Sequence, residues 1–176
     1  MREMATVLAM LAAAPAAAEV LDKGPNGFEV SATTQVAAPP AKLYQALLEI
    51  GRWWDGKHSW SGSAANLKLE GRAGGCLCET LPGGGSVLHM TVVYADPGKQ
   101  LRLRGSLGPL QGLGVEGALT WTIKPAKDGG SELVQSYAVG GYVKGGADAL
   151  AAPVDGVLGE QLARLKAFAE TGRTPG

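Results

Sequence analysis

From Phe28 to Val36 apolar and polar residues alternate, with Phe28, Val30, Ala32, Thr34 and Val36 on one side. A period of two is that of a strand buried on one face, so a strand is predicted there. Pro39 and Pro40 follow; neither suits the interior of a ladder, and both suit a helix start. Leu43, Ala46, Leu47 and Ile50 then recur at helical spacing, up to Gly51 and the pair Trp53 and Trp54. The period has changed to that of an amphipathic helix.

Beyond the tryptophans the period returns to two. NLKLE and CLCETL begin a meander, Pro82 to Gly85 form a turn, and VLHMTVVYA reads as a β-branched strand. The spacing puts Leu101, Leu103 and Leu107 on one face of the next strand, with Arg102, Arg104 and Ser106 on the other. The two arginines are expected to protect a sheet edge. From Gly105 to Gly117 the chain is too rich in glycine for a plain hairpin and too rich in leucine for a solvated loop. A bent, pocket-lining connection fits better. VEGALTWTI and SELVQSYAV supply two more strands around the turn DGG. From Pro153 onward Val154, Val157, Leu158, Leu162, Leu165 and Phe168 make the apolar stripe of a long helix. A half-buried sheet with one long helix to cover it is a helix-on-sheet α+β domain.

The first eighteen residues carry one arginine, an apolar run from Ala5 to Ala14, and a small-residue end at Ala16, Ala17 and Ala18. That is the order of a signal peptide. The run is about half of the roughly 20 residues that cross a bilayer, so residues 1–18 are expected to be cleaved before Glu19. A single domain, residues 19–176, then works in the periplasm or outside the cell. Sixteen Lys and Arg balance sixteen Asp and Glu, with no basic cluster. Nucleic-acid binding and polybasic attraction to a membrane therefore have no electrostatic footprint.

The segments VAAPPAKLYQALLEIGRWW and LGEQLARLKAF, with the order of elements between them, resemble the START-like, or SRPBCC, superfamily. Bet v 1-like allergens, polyketide cyclases and Hsp90 ATPase activator homologues belong to it. The resemblance covers residues 28–171 and rests on element order, not on a catalytic signature. It implies a helix-grip fold: a seven-stranded curved antiparallel sheet wrapping the C-terminal helix, two short helices after the first strand, and a cavity between sheet and helix.

Cys76 and Cys78 are the only cysteines. An even count in an exported chain suggests a disulfide, yet residues two apart in a regular strand stand about 6.6 to 6.8 Å apart, at the upper end of disulfide spacing. A bridge there requires a kink, which Gly74 and Gly75 can supply. With a four-residue turn, Cys78 falls opposite His89 and Cys76 opposite Thr91, so both thiols and one imidazole share a face. Such a group suits a soft metal or an activated thiolate; the plainer reading is small apolar side chains. Trp53, Trp54 and Trp60 form either a lid or an end plug for the sheet. Asp55, Lys57, His58 and Ser59 read as a solvated loop, because closeness in sequence is not convergence in space. Tyr137 and Tyr142 are candidates for hydroxyls at a pocket mouth.

Inward faces and the helix stripe give a predicted ligand-contact set: Trp54, Cys78, His89, Leu103, Leu119, Trp121, Tyr137 and Leu162. The leading reading is an exported carrier for a small hydrophobic ligand, a lipid, sterol or polyketide, with no catalytic residue, metal or cofactor assigned. A polyketide cyclase or aromatase using the same cavity is the enzymatic alternative. A thiol or metal site at Cys76, Cys78 and His89 is another. An interaction module like the Hsp90 activators is disfavoured by export, since that chaperone is cytosolic.

Overall fold

The computed structural model describes residues 17–174. Eight strands form a single antiparallel sheet: β1 (Ala17–Gly24), β2 (Gly27–Val36), β3 (Leu67–Leu69), β4 (Cys76–Thr80), β5 (Ser86–Asp96), β6 (Gln100–Gly105), β7 (Gly114–Pro125) and β8 (Ser131–Tyr142). Their spatial order is β1-β2-β8-β7-β6-β5-β4-β3. Two short helices, α1 (Pro40–Leu48) and α2 (Ile50–Trp53), follow β2, and the long helix α3 (Ala151–Thr171) closes the chain. This is the expected α+β helix-grip arrangement, with one strand more than the expected seven.

The additional strand is β1, in the segment AAEVLDKG. Its register slips between Val20 and Asp22, so side-chain alternation breaks midway and Leu21 is left exposed. An edge strand of this kind shows no clean period of two. The expected leader lies outside the described residues up to residue 16, and β1 begins at Ala17. Pairing of Glu19 with Ser31 and of Val20 with Val30 lies beyond the expected cleavage point.

Alternation places the core. Along β7, Leu119, Trp121 and Ile123 point inward, and along β8 Leu133, Gln135, Tyr137 and Val139 do the same. Leu158, Leu162, Leu165 and Phe168 of α3 meet them in one hydrophobic cluster. Gln135 is the polar member. Its Oε1 accepts from Trp121 Nε1 at 2.8 Å, and its Nε2 donates to the Leu158 carbonyl at 3.0 Å. At the far end α3 stops at Gly172, whose φ of 74° lies in the left-handed region that glycine enters freely. Arg102 and Arg104 lie on the solvent face of β6, which is paired on both sides. They are not edge guards: Arg102 Nε donates to Thr120 Oγ1 at 3.1 Å across the neighbouring strand.

Leu162 belongs to the fully buried seam between α3 and the sheet. Truncation to alanine is expected to lower unfolding free energy by about 2–5 kcal/mol, measured by urea denaturation.

Candidate functional site

α3 packs on β1, β2, α1 and α2. Toward the β4–β5 side of the sheet its first turns diverge from the strands, and a cavity of about 390 Å³ remains. Ile50 and Trp54, Leu67, Leu77, Leu107 to Leu110, and Leu150, Pro153, Val154, Val157 and Leu158 on the α3 side supply an almost wholly apolar wall. Four polar residues interrupt it: Lys57, His58, Ser59 and His89.

Two loops shape the opening. The first follows α2, where a 3-10 turn at Gly56–His58 is capped by Asp55 Oδ1 accepting from Lys57 N at 2.9 Å. That hydrogen bond, ahead of weaker help from Glu160, Arg164 and Lys57, holds the Asp55 carboxyl below its usual range despite some desolvation. Gln161 of α3 ties the loop down, its Oε1 accepting from Asp55 N at 2.8 Å. The second loop is the glycine-rich connection after β6, a 3-10 turn at Gly108–Gly112. Tyr137 braces it: the phenol accepts from Leu107 N at 3.3 Å and donates to the Gly105 carbonyl at 3.4 Å. Burial raises the Tyr137 hydroxyl to about 12, so it serves as a fixed neutral strut. Gly117, diagonal to it on β7, leaves space for that ring; a Cβ there would lie 2.5 Å from Tyr137 Cε2.

The titratable centre of the wall is a pair. His89 Nε2 lies 2.9 Å from Glu79 Oε2, with side chains 6% and 0% exposed. Desolvation opposes the Glu79 charge, but hydrogen bonds from Ser61, His89 and Trp60 outweigh it and hold the carboxyl below the usual carboxylate range. Ser61 N donates at 2.5 Å and Trp60 N at 3.2 Å. An ionised carboxylate only accepts, so the proton between the pair sits on His89 Nε2. In the neutral ring Nδ1 is then the acceptor, and Nδ1 is buried with no hydrogen-bond partner in the protein.

Two residues of the predicted ligand-contact set, Trp54 and His89, line this cavity. Leu103, Leu119, Trp121, Tyr137 and Leu162 face inward as expected but are packed in the seam, away from the opening. The seam is closed because Trp121 and Tyr137 fill it, and the open volume lies toward β4 and β5. Cys78 is on the opposite face, joined to Cys76 in a disulfide. A metal or thiolate site at Cys76, Cys78 and His89 is therefore ruled out: the sulfurs are bonded to each other and the imidazole points inward. Among the described residues no group of three His, Cys, Asp or Glu could hold a metal.

The tryptophans divide. Trp53 is fully buried and plugs the end of the sheet, Trp54 lines the cavity, and Trp60, 54% exposed, overhangs its opening. Lys57, His58 and Ser59 are partly solvated yet also form cavity wall. Tyr142 is exposed. Sequence reasoning missed Glu79, whose place in an alternating strand marks it as inward, and the hydrophobic contributions of Pro153, Val154 and Val157 to the cavity.

The fold is that of a known group. Residues 27–170 match the family described as polyketide cyclase / dehydrase and lipid transport, and the chain belongs to that family. Solved structures similar to it include a protein from Rhizobium leguminosarum, at 20% identity and a TM-score of 0.60 over 89% of this chain and 98% of that one. CalU16 from Micromonospora echinospora is 15% identical, with a TM-score of 0.57 over 89% and 86% of the two chains. The di-domain ARO/CYC StfQ from the steffimycin biosynthetic pathway is 20% identical, with a TM-score of 0.56 over 82% of this chain and 51% of StfQ. At these identities the likeness is one of fold. No curated protein was found that matches by sequence.

Because Glu79 is held below the usual carboxylate range in the native state, its contribution to stability is present above that ordinary range and is lost as pH falls through the depressed native value. Glu79→Gln is expected to cost about 1–3 kcal/mol at neutral pH and to remove this acid-side loss. Urea unfolding from pH 7 to pH 3 checks both effects.

Proposed function

We propose that this protein binds one small, largely apolar molecule that offers a hydrogen-bond donor to His89 Nδ1. The observation that carries the reading is the pairing of a cavity of about 390 Å³ with a buried imidazole nitrogen, His89 Nδ1, that no protein group satisfies. Sites for small molecules run from roughly 300 to 1,000 Å³ and combine apolar walls with a few placed polar groups. This one is near the lower end, which suits a compact ring system or a single short chain. The family's description names polyketide cyclisation and lipid transport, and both involve ligands of this character. Export to the periplasm or beyond is part of the same proposal. The leader-like start and the Cys76–Cys78 disulfide support it, since disulfides persist in oxidising compartments.

A second reading is favoured by the Glu79–His89 pair. A carboxylate that fixes the tautomer of a buried imidazole is the arrangement of a general base, and in a cyclase His89 Nδ1 would take a proton from the bound chain while Glu79 stabilises the imidazolium. Binding and proton transfer use the same atom, so the two readings separate only by turnover.

Native mass spectrometry of protein recovered from its own cells, followed by organic extraction, is expected to yield an apolar adduct at one per chain. A clean apo mass, with no shift in fluorescence of Trp54 and Trp60 on adding 1-anilinonaphthalene-8-sulfonate, would remove the carrier reading. Val157→Trp should fill the cavity and abolish binding of that dye while leaving the thermal midpoint within a few degrees. His89→Leu should weaken the extracted ligand by about 1–3 kcal/mol and, under the cyclase reading alone, abolish turnover.

A further inference from the structure

The ladder between β4 and β5 changes register at one place. Cys76 pairs with Thr91 and Leu77 with Met90, but Cys78 pairs with Leu88 and Glu79 with Val87. His89 is the extra residue of a β-bulge. Continued without a break, the ladder would set Cys78 against His89 and Glu79 against Leu88. Leu77 and Glu79 face the core while Cys76 and Cys78 face outward, so the unbroken register would turn His89 out beside the cysteines and Leu88 in beside Glu79. The bulge exchanges the two: His89 and Met90 are both buried, and Leu88 is 58% exposed.

The disulfide lies on the segment of β4 facing that bulge. It holds Cys76 and Cys78 with Cα atoms 5.4 Å apart, against about 6.6 to 6.8 Å in a regular strand. The bridge thus takes β4 out of regular strand geometry at the very step where the ladder shifts. On the other flank Gly105 pairs with Met90, at a φ of 141°. A Cβ at Gly105 would lie 2.6 Å from the His89 carbonyl oxygen, so only glycine leaves room for the displaced backbone.

We propose that the Cys76–Cys78 disulfide is a positioning element for the site: it holds the register that brings His89 to Glu79 and the cavity. A dithiol reductant, giving up two electrons and two protons as it becomes a disulfide, breaks the sulfur–sulfur bond and leaves two thiols. β4 is then free to relax to regular strand geometry and the ladder to run straight, with Leu88 inward. Glu79 loses its imidazole partner, and Trp60 and Ser61, held through that carboxylate, loosen. The inference rests on His89 belonging to the functional site, but its test reads His89 itself and not the ligand. Linkage makes the coupling reciprocal: whatever the disulfide contributes to the His89–Glu79 contact, that contact contributes to retention of the disulfide.

The test is dithiothreitol titration of the intact protein, with free thiols counted at each step. Side-chain NMR follows the His89 ring, assigned against His89→Gln, and amide exchange follows Trp60, Ser61 and the β7–β8 pair. Reduction is expected to shift the His89 ring signals and to speed exchange at Ser61 by roughly fivefold or more, with β7 and β8 unchanged. The affinity for 1-anilinonaphthalene-8-sulfonate should change in the same titration. Glu79→Gln and His89→Gln should each move the thiol–disulfide equilibrium toward the dithiol. Unchanged His89 and Ser61 signals in fully reduced protein would overturn the proposal. So would loss of protection in β7 and β8, which would make the bridge a general staple of the fold. The double variant Cys76→Ser with Cys78→Ser should reproduce the reduced state; if it does not fold, reduction of the native chain still decides.

Discussion

One helix cannot cover this sheet. Eight strands at about 4.8 Å spacing span roughly 34 Å before curvature, while a helix with its side chains is about 10–12 Å across. Curling of the sheet around α3 closes the β1–β2–β8–β7 side, where Trp121, Tyr137 and the leucines of α3 fill the seam. Toward β3, β4 and β5 the helix no longer reaches the strands, and the loops after α2 and β6 span the gap. The cavity is the part of the inner face that these loops roof over without filling. Their own anchors are polar and local: Gln161 to Asp55, Tyr137 to Leu107, and Glu79 to Trp60 and Ser61.

That geometry explains what was legible in the sequence. The period-two runs at Phe28–Val36 and along β7 and β8, and the helical stripe of α3, arise from burial on one side, and each gave its element and its inward face. β1 was not legible, because its slip at Val20 destroys the alternation that would announce it. The site was half legible. Inwardness is a local property, and it correctly placed Leu103, Leu119, Trp121, Tyr137 and Leu162 inside. Whether an inward residue meets another side chain or open space depends on where the helix axis runs, which no short window of sequence encodes. Trp54 and His89 reach the open end, and the others do not.

The cysteines show a second limit. Counting back from a four-residue PGGG turn starts one residue off, because Ser86 pairs with Thr80, and the bulge at His89 then cancels that error, so Cys76 meets Thr91 as counted. The same count placed Cys78 on His89, one residue off like every pair between the turn and the bulge, and neither the turn length nor the bulge leaves a mark in composition. The kink that a CxC bridge demands was anticipated; its effect on the partner strand was not. Glu79 shows the same blindness from the other side: a buried carboxylate in an apolar wall costs free energy unless it is satisfied, and its satisfaction comes from residues 18 and 19 positions away in the chain.

Gln135 has a mechanical consequence for how a guest molecule gets in. Its amide bonds the Trp121 indole on one side and the Leu158 carbonyl on the other, so it acts as a detent that fixes α3 along its own axis. Sliding or lifting the helix would break the bond from Gln135 Nε2 to the Leu158 carbonyl and leave that buried amide unsatisfied. Entry therefore falls to the two short 3-10 segments at Gly56–His58 and Gly108–Gly112, whose motion is that of loops, on a scale of nanoseconds to microseconds. The molecule thus divides into a helix-and-sheet seam locked by a buried amide and a rim of two short loops, and on the proposed binding function exchange runs through that rim.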